Sequence, residues 1–160
     1  MSRELPVPKD VRDLVEELLG RTVNVSQADP IKQSDLPNTM IAVYRDDSRR
    51  IGAVVGMDFK LTVYTAAAIG LVPPGGAEAC IEDREISPML AENADEVCNV
   101  LTSLLNQAGQ PHLKLDQSFL PGQSPPADAT AHSVAIGRRL DLNVEIGGYG
   151  SGKLSMVLAG

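Results

Sequence analysis

Gly147, Gly152 and Lys153 stand in the stretch GGYGSGKL at the spacing of the phosphate-cradling loop G-x-x-x-x-G-K-[ST]. That loop needs a hydroxyl directly after its lysine to hold magnesium. Leu154 occupies the position, and Ser155 comes one residue late. The loop also needs a following helix whose N-terminal N–H groups face the phosphates, and the seven residues after Lys153 supply none. The flanks alternate instead, with Leu140, Leu142, Val144 and Ile146 on one side and Leu154, Met156 and Leu158 on the other. Period-two alternation around a glycine-rich stretch predicts a β-hairpin, with the glycines serving the turn.

A second pair of residues carries different chemistry. Glu96 and Asn99 lie in PMLAENADEVCNVLTSLLNQA, which Ser87 can cap and Pro88 can open as a helix running to Ala108 and ending at Gly109. Leu90, Ala94, Val97, Leu101, Leu104, Leu105 and Ala108 form one apolar stripe, with Cys98 at its edge. Glu92, Glu96, Asn99, Ser103 and Asn106 point to the other side at about 100° per residue. A spacing of three puts Glu96 and Asn99 on one face, about 5–6 Å apart. On spacing alone E-x-x-N is a solvated helix face, and only its context lends it chemistry.

The remaining candidates read as structural. His112 and His132 have no serine or cysteine at a useful spacing, and Cys98 sits towards the core edge as packing. Cys80 and Cys98, with two histidines in all, make no metal constellation, and a disulfide between them is not required. Asp46-Asp47 and Glu82-Asp83-Glu85 read as solvated loops, whereas Arg49-Arg50 and Arg138-Arg139 could steer an acidic partner.

Composition narrows the function classes. The chain's 160 residues suffice for one domain, 1–160, that buries its core without staples. A net charge of −7 with no basic, aromatic-interleaved patch argues against nucleic acid. A charged N-terminus without an apolar h-region, and no run of membrane-spanning length, predict a soluble cytoplasmic protein without membrane contact.

The elements that must position these residues follow from periodicity. Residues 1–9 read as a flexible lead-in. Asp10 can cap a helix through Val11, Leu14, Val15, Leu18 and Leu19 that ends at Gly20. Residues 21–27 alternate as a strand, and 39–45 with 51–57 read as a hairpin about the turn DDSRR. Residues 58–72 lean towards helix, with Asp58 as cap, and PPGG at 73–76 breaks the chain. A strand at 112–119, a polar Pro-rich loop at 120–131 and a terminal hairpin over roughly 133–159 complete the order. This grammar predicts an α+β domain, an antiparallel β-sheet with hairpins packed against two or three helices.

This order, with E-x-x-N on a long helix followed by a strand, a Pro-Gly loop and a terminal hairpin, resembles the CheX/CheC/FliY family of chemotaxis phosphatases. The resemblance runs from DVRDLVEELLG through ADEVCNVLTSLL to GKLSMVLAG. It lies nearest the single-site CheX-like branch, since residues 58–72 hold no second E-x-x-N. It implies hydrolysis of the aspartyl phosphate of a phosphorylated CheY-type response regulator. Glu96 would pair with the regulator's lysine, and Asn99 would hold the attacking water. The regulator would supply Mg²⁺, so no cofactor is expected of this chain. A homodimer is compatible with the resemblance. A non-catalytic adaptor that binds a regulator or a motor component is the alternative, and a plain oligomerisation domain would follow if Asn99 were buried.

Overall fold

A computed structural model describes residues 3–159. The strands are β1 (Val23–Gln27), β2 (Thr39–Arg45), β3 (Ile51–Asp58), β4 (Lys114–Phe119), β5 (Arg139–Ile146) and β6 (Gly150–Leu158). The α-helices are α1 (Pro8–Leu19), α2 (Phe59–Ile69), α3 (Pro74–Asp83), α4 (Pro88–Leu105) and α5 (Ala127–Ser133), and a 3₁₀ helix spans Gln33–Asn38. The strands form one sheet in the order β1-β5-β6-β3-β2-β4, antiparallel at every pairing. The fold is α+β, as the alternation of strand and helix periods required.

One face of the sheet carries most of the core. Met40, Ala42 and Tyr44 of β2, Val55 and Met57 of β3, and Leu142, Val144, Leu154 and Met156 of the terminal hairpin pack there against α1, α2 and α4. α2 is buried on nearly every side, which its almost wholly apolar sequence permits. Asp58 ends β3 and caps α2, its Oδ1 accepting from the Leu61 N–H at 2.9 Å. The second face is smaller: Ile41, Val43 and Val54 pack under Ala129 of α5. β2 is apolar at consecutive positions because it is covered on both faces.

Several boundaries differ from the sequence reading. Val7 precedes Pro8 at the start of α1, and Asp10 lies within the first turn, because proline at the first helical position needs no N–H partner. Gly20 does end α1, in the left-handed conformation at φ 65°. PPGG opens α3 for the same reason that Pro8 opens α1. The loop expected at 120–131 contains the start of α5, whose Ala129 is fully buried. The lead-in is not free from Arg3 onward. Arg3 is buried, and its guanidinium donates to the carbonyls of Leu105 and Pro111.

Candidate functional site

α4 is fixed at three points. At its start Ser87 Oγ accepts from the Leu90 N–H at 3.2 Å, and Pro88 occupies the first helical position. In its middle the Tyr44 hydroxyl of β2 donates to the Cys98 carbonyl at 2.6 Å, tying the helix to the sheet beside the E-x-x-N segment. At its end Asn106 replaces the expected stop at Gly109. The Asn106 amide accepts from the Leu113 N–H at 2.7 Å and donates to the Leu113 carbonyl at 3.0 Å. That bridge uses a residue expected on the solvent face, and it locks the helix terminus to the chain entering β4.

The stripe is buried at Leu90, Ala94, Val97, Cys98, Leu101 and Leu105, while Leu104 is half-buried and Ala108 lies exposed beyond the helix. Glu92, Glu96, Asn99 and Ser103 are exposed. Glu96 and Asn99 therefore project together, one helical turn apart, and neither side chain makes a hydrogen bond or ion pair with any described residue.

They face an open groove between α4 and the edge strand β4. Glu92, Asp95, Glu96 and Asn99 form one wall, and Leu115, Asp116, Gln117 and Ser118 the other. Ser118 donates to Asp95, closing the groove floor with a link between the two elements. Asp116 accepts from Arg49 at 2.8 Å and from Arg45 at 3.1 Å. The Arg49 hydrogen bond leads the causes that hold its carboxyl below the ordinary value, so Asp116 stays ionised. Asp116 and Ser118 escaped the sequence reading, because only the pairing of β4 as the outermost strand brings them beside α4, and Asp95 of α4 gains its role only when Ser118 arrives there.

Neither the cysteines nor the histidines place a nucleophile in the groove. The Cys98 thiol is buried, and desolvation, with the nearby Asp95 charge, pushes it up to about 12. His112 is exposed and His132 half-buried, both away from the groove. Among the described residues no three His, Cys, Asp or Glu side chains are grouped to hold a metal ion. The site offers exposed carboxylates and an amide, groups suited to docking a partner and orienting a small molecule.

The glycine-rich terminus is a hairpin, with Ile146 paired to Gly150 across its turn. Its glycines do more than turn the chain. Gly152 lies within β6, where a Cβ would come 2.5 Å from Asp58 Oδ1 and 2.6 Å from the Leu61 nitrogen. The glycine leaves room for the cap of α2, whose N-terminus Asp58 already fills in the place an anion would take. Arg139 is likewise structural, pairing in the interior with Asp141 at 2.8 Å.

No family model and no curated protein matches the chain. Solved structures do. The FliM middle domain from H. pylori superposes with a TM-score of 0.62 at 10% identity, over 94% of this chain and 83% of that one. A chemotactic CheC-like protein from Shewanella oneidensis MR-1 gives 0.55 at 13% identity, over 94% of each chain. CheX in a CheX–CheY–BeF₃–Mg²⁺ complex from Borrelia burgdorferi gives 0.54 at 9% identity, over 94% and 93%. The chain has the fold of the CheX, CheC and FliY proteins. In this CheX-like fold the exposed face of α4 is the surface on which the E-x-x-N pair is displayed, and no helix among the described residues is long and apolar enough to cross a membrane.

Proposed function

We propose that α4 docks a phosphorylated CheY-type response regulator and that this domain hydrolyses the regulator's aspartyl phosphate. The observation that carries the reading is the state of Glu96 and Asn99: both exposed, one turn apart, and without an intramolecular partner on a helix anchored at both ends and in its middle. Side chains held ready in this way suit a partner's site. The CheX-like fold supports it, since one protein of that fold is seen in complex with CheY.

In this reading Glu96 pairs with a lysine of the regulator and sets the helix in register. Asn99 enters the regulator's site, accepts a hydrogen bond from a water and holds it in line with the phosphorus. Phosphoryl transfer asks chiefly for positioning and charge stabilisation, and an amide supplies the first without needing to be a strong base. The water's oxygen forms the new bond to phosphorus as the bond to the aspartyl oxygen breaks. Mg²⁺ belongs to the regulator and stabilises the charge there. The acidic wall formed by Glu92, Asp95 and Glu96 suits a surface that presents lysine and a bound cation.

A second reading has its own support. The FliM middle domain matches at the higher TM-score of 0.62, and this favours an adaptor that binds a regulator or motor component without hydrolysis. One experiment separates the two. The purified protein is mixed with a CheY-type regulator phosphorylated from a small phosphodonor, and loss of phosphate is followed in a single turnover. Acceleration over the regulator's own decay supports the hydrolase. Stoichiometric binding with an unchanged decay supports the adaptor, and neither binding nor acceleration overturns both.

A further inference from the structure

Nine arginines fall within the described residues, and seven of them hold an intramolecular partner. Arg12 and Arg139 pair with aspartates, Arg45 and Arg49 share Asp116, and Arg3, Arg21 and Arg84 donate to carbonyl or amide oxygens. Arg50 and Arg138 have no side-chain hydrogen bond, ion pair or ring contact among the described residues. Both line the same cavity, of about 440 Å³, at the end of the sheet where the β2–β3 turn meets the close of β6.

The rest of that cavity is built around them. Arg3 lies buried at its base, held in place by the Leu105 and Pro111 carbonyls, and His132 of α5 stands on the wall. Asp46 is the single carboxylate in the lining among the described residues, and its Oδ1 is already engaged by the N–H groups of Ser48 at 2.9 Å and Arg50 at 3.0 Å. Three guanidinium groups against one carboxylate leave two positive charges, which a phosphate dianion neutralises. Arg50 and Arg138 are exposed and have no counter-charge of their own, so both guanidinium forks are available to an anion that enters. Gly52 shapes the floor, since a Cβ there would come 2.3 Å from Leu113 Cδ2.

We infer that this cavity is an anion site for a small phosphorylated ligand, formed by Arg3, Arg50, Arg138 and His132. Arg forks match phosphate oxygens in pairs, and a cavity of this size accommodates a phosphorylated metabolite. No Phe or Tyr side chain lines it among the described residues, and with three guanidinium groups and a single imidazole the lining favours a compact phosphate ester over a nucleotide. The site lies apart from the α4 groove, whose wall of Glu92, Asp95 and Glu96 repels free phosphate. It stands independently of the phosphatase reading.

The test uses the full chain, inorganic phosphate and glycerol 3-phosphate as probes, and NMR of backbone amides and arginine side chains at constant ionic strength. Saturable shifts centred on Arg50, Gly52, His132 and Arg138 are expected, with citrate, as the carboxylate arm, binding more weakly. The Arg50→Gln/Arg138→Gln double variant keeps the amide spectrum of the fold and loses at least about tenfold in affinity, because two charge-assisted donors are removed. Arg49→Gln, whose partner is Asp116, leaves the affinity unchanged. Non-saturating shifts spread over the surface would overturn the site, as would equal binding by the double variant. Tighter binding of citrate than of either phosphate would overturn the assignment of the ligand class.

Discussion

Replacing Asn99 with alanine separates catalysis from folding, because the structure gives the side chain nothing to hold. Asn99 is exposed and sits in the interior of α4, and its side chain makes no hydrogen bond with a described residue. The folded state therefore loses no contact. Alanine is the better helix former by up to about 0.7 kcal/mol. At roughly 2–4 °C per kcal/mol for a chain of this size, Tm should stay level or rise by about 1–3 °C. If the amide aligns the attacking water, its loss appears in the rate: a misplaced reactant costs on the order of 100-fold, equivalent to about 2.7 kcal/mol of barrier. Regulator binding should change little, since the interaction is realised in the transition state. The assay is single-turnover loss of phosphate from a CheY-type regulator, run beside a binding titration and a thermal melt. Glu96→Ala serves as the contrast, weakening docking and lowering the rate together. If Asn99→Ala dephosphorylates the regulator within twofold of the wild type, the proposed role fails. If Tm instead falls by more than about 3 °C, the side chain supports the fold and the premise is wrong.

Asp141→Ala should destabilise by about 3–5 kcal/mol in chemical denaturation, because it leaves the interior Arg139 without the carboxylate that accepts at 2.8 and 2.9 Å. An Arg139→Met/Asp141→Leu double variant should recover most of that loss, and equal stability of Asp141→Ala and wild type would refute the account. Burial pushes the Asp141 carboxyl up, but hydrogen bonds from Arg139 and Ser155, with the charges of Arg139 and Lys153, outweigh it and leave it below its ordinary 3.8. The pair's contribution is thus fully present above about pH 4 and is lost as pH falls through the lower folded-state value, so Asp141→Asn should flatten the acid limb of a Tm-against-pH profile. Gly152→Ala should lower stability by about 1–3 kcal/mol through forced displacement of the Asp58 cap, read from denaturant midpoints, while a neutral effect would show the cap can move freely. Cys98 should resist thiol reagents in the native protein and react at the rate of unfolding, with Cys80, which is half-buried, modified first.

The sequence by itself determined the local features of the site. The leucine stripe of α4 is a property of spacing, so the helix, its buried face and the exposure of Glu96 and Asn99 opposite that face follow from periodicity whatever packs beneath. The Ser87 cap, the Gly20 stop, the β2–β3 hairpin and the terminal hairpin are equally local, each set by a few adjacent residues. Tertiary structure decided what depends on residues far apart in the chain. Asn106 has the pattern of a solvent position but serves as a bridge, because Leu113 returns to meet it. The run at 120–131 is polar and proline-rich, yet Ala129 is core, because β2 and β3 present a second apolar face that a helix must cover. Gly152 looked like part of a turn, and only the arrival of Asp58 and Leu61 at van der Waals distance explains its missing side chain. The β4 wall of the groove, and the meeting of Arg50 with Arg138, arise from strand order, which no local pattern encodes. Periodicity fixes which way a side chain faces along its own element; which partner it finds there is set by the long-range pairing of the whole sheet.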